Sequence, residues 1–568
     1  MRDSLLRFAI LTLAAALFLT ELLSPFHLLS RWPLAIAWIL TLALIAARIP
    51  RFPFHISNLY IPSAVVAIPV AIAALVSPPN SADAMAYHLP RVIYWAQSGS
   101  VAFFPTPYYN QVMLAPLAEY VMLHTYLLTG GDRLVNLIAF AAYIGSIAGV
   151  SAIAGAFGLP PRAQAVAAFV CATLPNAILQ ASGAKNDFLL AFCLVCAVYF
   201  AARRNVLFLA LSIALAIATK ATAYLFLPPL LIYAAFVLPS RKLLWIAAAI
   251  LAVNGPQYLR NLRLTGSPLG YDSAQGDGHF RWRNEHPGLA SLASNLIRNT
   301  SEQLGARSPA WNDRVYRAAV DAHRALALDP DDPATTWPGS HFAPPVNANH
   351  EANANNRWHL LLFTLAALYA IATRNRTWSL YAAALVSAFL IFCFYLKWQP
   401  FLARLELPLF VLAAPLGAYL LAQLHPAIVL AVCLFLAANA RLPLFENWTR
   451  PLKGPHSLFV TTRDNAYFND MSQWNNRASY LESVDRVARS GCKSVGIDIT
   501  ENQLEYPFQA LLRERNPNIR FVHAPAAPPP CAVLCPDCIG NQKKLDFYRA
   551  YGPPVEIGRF LLFTNTAY

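Results

Sequence analysis

Long apolar runs alternate with short polar connections over most of this chain. The runs fall at residues 5–24, 33–48, 59–77, 133–157, 163–181, 186–202, 205–219, 222–238, 243–258, 358–373, 377–396, 405–421 and 426–440. A helix of about 20 apolar residues matches the hydrocarbon core of a bilayer. The pattern therefore predicts a polytopic α-helical membrane protein with about thirteen spans. One more apolar stretch, 112–128, is broken by Pro116 and carries Glu119 and His124. It reads as an interfacial or re-entrant helix, with a true span and a changed order elsewhere as the alternative.

Beyond the last run the pattern becomes that of a soluble domain. Residues 457–462, 494–499, 519–524 and 559–564 predict strands, and 478–490 and 504–516 predict amphipathic helices between them. This alternation predicts a small α/β domain with a largely parallel sheet. It has no Gly-rich phosphate loop, so nucleotide binding has no support there. The expected organisation is a transmembrane domain over 1–440, with external loops at about 78–132 and 259–357, followed by an extracytoplasmic domain over 441–568. Within the long loop, 289–296 and 313–328 have helical spacing.

Short basic loops set the expected orientation. With Arg2 and Arg7 inside, Arg48, Arg51, Arg162, Arg203, Arg204, Arg241, Lys242, Arg374 and Arg376 all fall inside as well. Asp83, Asp187, Lys220, the turn at 397–404 and the whole tail then fall outside. More spans follow the first segment and no clear cleavage site ends it, so it reads as a retained signal anchor. The expected location is a bacterial-type inner membrane, with the tail periplasmic or extracellular.

Composition agrees: 57% of residues are hydrophobic and 13% charged, about half the charge of a soluble protein. The formal charge of +14 is absorbed by orienting loops and external arginines. No Lys/Arg cluster alternates with aromatics, which argues against a nucleic-acid partner. Five of the nine cysteines, Cys171, Cys193, Cys196, Cys393 and Cys433, lie in spans as small packing residues. Cys492, Cys531, Cys535 and Cys538 lie in the tail. One or two disulfides fit that compartment better than a metal knuckle, and spacing leaves the pairing open.

Carboxylates at a membrane edge are costly and point to function. Two such sites open on the external face, Ser81-Ala82-Asp83-Ala84-Met85-Ala86-Tyr87-His88-Leu89-Pro90-Arg91 and Lys185-Asn186-Asp187. Each aspartate has a plain alternative as the N-cap of the helix that follows. Lys185 and Asn186 are placed to bind hydroxyls or phosphate. His88 is either a proton carrier or a hydrogen-bonded structural residue, and no His/Asp spacing forces a metal site. Arg91, Lys220, Arg260, Arg263, Lys397 and Arg404 supply cations near the interface, each with interfacial snorkelling as its alternative.

The order of these features resembles the C-type glycosyltransferases, especially the protein O-mannosyltransferase and lipid A aminoarabinose transferase branch. The likeness rests on the Asp83–Arg91 motif, Phe104-Pro105-Thr106-Pro107, the Pro116 helix ending at Gly130-Gly131-Asp132-Arg133, Leu174-Pro175, Asp187, Thr219-Lys220, and Arg404-Leu405-Glu406-Leu407-Pro408. It covers about residues 59–260 well and the later spans loosely. The resemblance implies transfer of a sugar from a polyprenyl-phosphate donor on the outer face. Asp83 would be the general base, Asp187 an orienting acid, and Arg404 the late arginine facing the donor phosphate. The acceptor stays open among a protein, a lipid and a polysaccharide. No cofactor is implied beyond the donor substrate, although some relatives use a divalent metal. Two departures stand out: Ala221 follows Lys220 where relatives often have a glycine, and two spans precede the one leading to Asp83 where relatives usually have a single one. The rival readings are a transporter or flippase of lipid-linked glycans, and a non-catalytic membrane scaffold.

Overall fold

The structure is a computed structural model that describes residues 2–48, 57–270, 282–470, 473–500, 503–536 and 538–564. Arg51 and part of the long external loop, 271–281, lie outside the described residues. A helix stands at each of the thirteen expected positions, and the protein is a multi-pass membrane protein. The first three are α1 (Arg2–Leu23), α2 (Arg31–Arg48) and α3 (Ile61–Val76). Three shorter helices follow, α4 (Leu89–Ser98), α5 (Asn110–Met113) and α6 (Leu117–Thr129). The 13 residues of α6 rise about 20 Å, short of the roughly 30 Å hydrocarbon core. The stretch at 112–128 is thus two short helices, α5 and α6.

The bundle continues with α7 (Leu137–Ala156), α8 (Pro161–Ala172) and α9 (Pro175–Gln180). Pro175 separates α8 from α9 because it has no N–H to donate and restricts the residue before it. Next come α10 (Asp187–Ala202), α11 (Val206–Thr219), α12 (Ala223–Phe226), α13 (Pro228–Val237) and α14 (Ser240–Thr265). The long loop carries α15 (Leu289–Gln303) and α16 (Pro309–Ala325), close to the two predicted helices. The later membrane helices are α17 (Arg357–Ala372), α18 (Arg376–Tyr395), α19 (Leu407–Leu421) and α20 (Pro426–Phe445). By length and composition, the helices at 2–26, 58–76, 137–156, 376–395 and 426–445 are long and apolar enough to cross a membrane. Five further apolar helices, α2, α10, α11, α17 and α19, are shorter.

Close packing fixes the centre of the bundle. α7 meets α10 at Gly145 and Gly149, where an added Cβ would collide with Phe192 and Val195. Small residues let helix backbones approach in this way where lipid supplies no hydrophobic drive. One end of the bundle is marked by Arg2, which donates to Tyr60 at 3.1 Å, Ser151 at 2.5 Å and Gln164 at 2.6 Å. The other end carries Asp83, Asp187, Lys220, Arg404 and the tail.

The tail contains α21 (Arg463–Ala466), α22 (Arg477–Arg489), α23 (Tyr506–Arg515) and α24 (Gln542–Tyr548). Its strands are β1 (Ser494–Ile497), β2 (Arg520–His523), β3 (Ala532–Cys535), β4 (Val555–Ile557) and β5 (Phe560–Thr564). The sheet order is β2-β1-β3-β5-β4, with β1 parallel to both neighbours and β5 antiparallel to both of its own. The sheet is therefore mixed, a correction to the largely parallel one expected. The difference comes from β3, hidden in the cysteine- and proline-rich stretch, and from the short return strand β4. Residues 457–462 form turns and no strand, because Leu458 is drawn out of the sheet to pack with Ala73 of α3 and with Ala466. The tail cysteines pair as Cys492–Cys531 and Cys535–Cys538.

One buried ion pair ties the segments at this end of the bundle together. Arg450, just past α20, is fully buried and donates to Glu351, to Asn80 Oδ1 at 2.9 Å, to Ser182 Oγ at 2.9 Å and to Leu179 O at 3.0 Å. Lys185 reaches the other oxygen of Glu351 at 3.0 Å. Gly183 leaves room for the guanidinium, since a Cβ there would lie 3.2 Å from Nη2. Burial raises the Glu351 pKa, but Arg450 and then Lys185 overcome it and bring it down to about 2 from an ordinary 4.5. Such a depressed carboxyl stabilises the fold by about 3 kcal/mol at neutral pH. That contribution is complete above about pH 4.5 and is lost as pH falls through about 2. The melting temperature of the wild type should therefore exceed that of Glu351→Gln by a constant margin above pH 5 and by a shrinking one below it. Arg450→Met should cost about 3–5 kcal/mol, the penalty for stranding a buried charge, read as a fall in melting temperature in detergent.

Candidate active site

Four chain segments converge at the tail-bearing end of the bundle. The first leaves α3 through Ser77-Pro78-Pro79, where two prolines stop the helix. Asn80 anchors it: Nδ2 donates to Thr449 O at 2.7 Å and Ala466 O at 3.0 Å. Ser81 then caps the next turn, with its Oγ accepting from Ala84 N at 3.3 Å. Residues 84–88 form a single π-helical turn, a geometry found often at functional sites. Asp83 stands just before it and makes no side-chain capping bond. Because Ser81 does the capping, the Asp83 carboxylate is free to act elsewhere.

It pairs with Arg404, which lies on the short turn Leu402–Arg404 ahead of α19. The two are 321 residues apart in sequence. Beside them, Lys220 Nζ meets Asp187 Oδ1 at 2.5 Å, while Asp187 Oδ2 is buried with no hydrogen-bond partner among the described residues. Asp187 likewise makes no capping bond: Asn186 holds the N-cap position, and its Nδ2 donates to Thr219 O at 3.3 Å. Burial works to raise the Asp83 pKa, but Arg404, Lys185, His88 and Lys220 hold it well below the ordinary carboxylate range. For Arg404, burial works against the charge while Asp83 and then Asp187 favour it, and the net shift is upward. Both members of the Asp83–Arg404 pair are ionised at neutral pH.

The pair is accessible. The Asp83 side chain keeps 19% of its surface exposed and Arg404 keeps 11%, so a ligand can reach both. Lys220 keeps 17% and Asp187 only 3%. Tyr87, missed by sequence reasoning, projects into the same field. Burial, then the Asp83 charge, push its hydroxyl pKa well above the ordinary value, so it stays a proton donor.

Three other expected ligand-binding residues serve elsewhere. Arg91 is fully buried and donates to Glu119 at 3.2 Å and Val112 O at 2.8 Å, with its guanidinium 4.4 Å from the Trp95 ring centre. His88 is also buried, its Nδ1 lying 3.0 Å from Glu119. These contacts fasten α4 to α6, and they correct the expectation that Arg91 clamps a phosphate. Lys185, 2% exposed, is engaged with Glu351. Among the other cations weighed, Lys397 is held by Glu285 at 2.7 Å and Pro333 O at 2.8 Å. Arg260 forks onto Glu21 at 2.6 and 2.9 Å, and Arg263 is exposed. Of the cations considered, only Arg404 and Lys220 pair with the two aspartates.

The site thus offers two ionised carboxylates, two cations able to receive an anion, and a phenol. Burial at the bundle end lowers the local dielectric and strengthens each of these interactions. Such a set can hold a phosphoester, stabilise the anion it releases and take up a proton from an attacking hydroxyl.

Comparison with known proteins agrees with this architecture. No family model matches the sequence, and no curated protein does. Among solved structures, ArnT from Cupriavidus metallidurans bound to undecaprenyl phosphate is similar, with a TM-score of 0.50 at 13% identity over 89% of this chain and 98% of that one. The same protein in its apo state gives 0.51 at 13% identity, over 89% and 97%. An oligosaccharyltransferase from Archaeoglobus fulgidus gives 0.45 at 14% identity, over 82% and 65%. The chain has the fold of ArnT.

Proposed function

We propose that this protein is an integral-membrane glycosyltransferase that moves a sugar from a polyprenyl-phosphate donor to an acceptor hydroxyl at the outer face of a bacterial-type inner membrane. The observation that carries this reading is the Asp83–Arg404 pair, set beside Lys220 and Asp187 at one end of the helix bundle. The shared fold with ArnT, crystallised with undecaprenyl phosphate, supports the donor class.

In this mechanism the donor phosphate takes Arg404 and Lys220, and a guanidinium can bind it through two parallel N–H bonds. Losing Arg404 releases the Asp83 carboxylate and raises its basicity. The acceptor hydroxyl oxygen then attacks the anomeric carbon while the bond from that carbon to the phosphate oxygen breaks. Asp83 takes the hydroxyl proton as general base, and polyprenyl phosphate leaves as an anion held by the two cations. Asp187 keeps Lys220 in place and orients the incoming group. The anomeric centre inverts. Arg91 and His88 take no part in this scheme beyond holding α4.

Purified protein in lipid, supplied with radiolabelled polyprenyl-phosphate sugars and a membrane extract as acceptor pool, should transfer label. Asp83→Asn should lower the rate by roughly 10²–10⁴-fold with donor binding retained. Equal transfer by both proteins would remove Asp83 as the base, and no transfer by either with a broad donor panel would sink the reading.

The pH profile supplies a second check. kcat/KM for the donor reports free-enzyme ionisations and kcat those of the bound complex. With Asp83 held low by Arg404, kcat/KM should stay flat on the acid side down to about pH 5. kcat should show an acid limb at higher pH, because the bound phosphate has displaced Asp83 from Arg404. Identical acid limbs in both profiles would contradict the displacement.

A further inference from the structure

The tail reaches the turn that carries Asp83 through a chain of buried polar contacts. At its centre is Glu505, one residue before α23 and fully buried. Its Oε1 accepts from Tyr94 OH at 2.5 Å and from Gln509 Nε2 at 2.9 Å. Its Oε2 accepts from Gln111 Nε2 at 2.7 Å. The same Gln111 nitrogen donates to Ala86 O at 3.1 Å, a carbonyl in the middle of the π-helical turn at 84–88. Gln111 Oε1 accepts from Thr106 Oγ1 at 2.9 Å and lies 2.9 Å from His523 Nε2 on β2. Gln111 is itself fully buried, so no water competes for its amide.

The orientation of Gln111 has only one solution here. Its amide must present N–H to both Ala86 and Glu505, and its oxygen to Thr106 and His523. Three donors converge on Glu505, which suits a carboxylate because both of its oxygens only accept. An amide at position 505 would keep only one of those two acceptor oxygens. The surrounding tail is firmly seated on the same loop. Gln97 and Phe521 exchange two bonds, at 2.8 and 3.0 Å. Asp132, at the far end of the loop, accepts from Arg463 at 2.6 Å, Tyr467 OH at 2.5 Å and Tyr506 OH at 3.0 Å.

We infer that Glu505 of the C-terminal domain, acting through Gln111, sets the backbone of the turn behind Asp83 and is a positioning residue for the transfer reaction. The inference rests on the glycosyltransferase reading for its chemistry, but the contact itself does not. The tail then acts on the turn through Gln111. A small error in the turn would move the Asp83 carboxylate, and misplacement by about 1 Å can cost about 100-fold in rate.

The test uses the full chain in lipid nanodiscs with two nearly isosteric variants, one from each side of the contact, Glu505→Gln and Gln111→Met. Hydrogen exchange at the amides of 84–88 should quicken by about tenfold or more in both, the scale of a lost charge-assisted bond. kcat should fall by about 100-fold with the donor KM unchanged. The double variant should be no slower than the worse single, because both changes break one chain of contacts. Unchanged exchange at 84–88 in either folded variant would overturn the inference, as would full kcat despite faster exchange. So would losses in the two variants that multiply in the double. If the wild type transfers no sugar while both variants still loosen 84–88, the glycosyltransferase reading fails and the control of the turn by Glu505 stands.

Discussion

Everything at the functional end of this molecule depends on a guanidinium that has no water. Arg450 leaves the last membrane helix and enters a space walled by the segments after α3, after α9 and before α17, where Glu351, Asn80, Ser182 and Leu179 receive it. A buried pair of this kind adds little net stability over an apolar substitute, yet breaking it is expensive. Its value is in geometry. The requirement to satisfy one planar cation forces four distant segments into a single arrangement, and Asp83 lies three residues beyond Asn80. Glu351 also takes Lys185, two residues before Asp187. Both aspartates of the site are therefore held from behind by one carboxylate–guanidinium knot.

The charges in front of the knot form a second layer with a different task. There the pairs are partly open to solvent, and each cation faces a carboxylate that a phosphate could replace. Asp83 and Arg404 neutralise each other without a ligand, which keeps two charges tolerable at the membrane edge. This pairing also holds the Asp83 carboxyl well below the ordinary carboxylate range. The tail adds a third support through Glu505 and Gln111, so the turn behind Asp83 is fixed on one side by the knot and on the other by the soluble domain.

Much of this was legible in the sequence, for physical reasons. Apolar runs near the thickness of a bilayer marked the helices, and the basic loops kept Asp83 and Asp187 on one side. A carboxylate ending such a run has few structural excuses, which made both aspartates visible. Their partners were less so, since Arg404 stands 321 residues from Asp83 and no periodicity links them. Arg91 looked like a clamp because it follows the Asp83 motif, but periodicity does not reveal that Glu119 and Trp95 enclose it. Nothing in the sequence marks Arg450, because its burial is a tertiary fact. Ser81 took the capping role that Asp83 could have filled, and Asn186 the N-cap position that Asp187 could have held, a competition that local sequence leaves undecided. In the tail, β3 escaped because prolines and cysteines mask a four-residue strand.

The central claim is that the Asp83–Arg404 pair is the place where an anionic donor enters. The direct test is a structure of the protein in lipid with polyprenyl phosphate bound. The account predicts a phosphate on Arg404 and Lys220, with the Asp83 carboxylate released and turned toward open space. A phosphate seated elsewhere, with the Asp83–Arg404 pair intact, would contradict it.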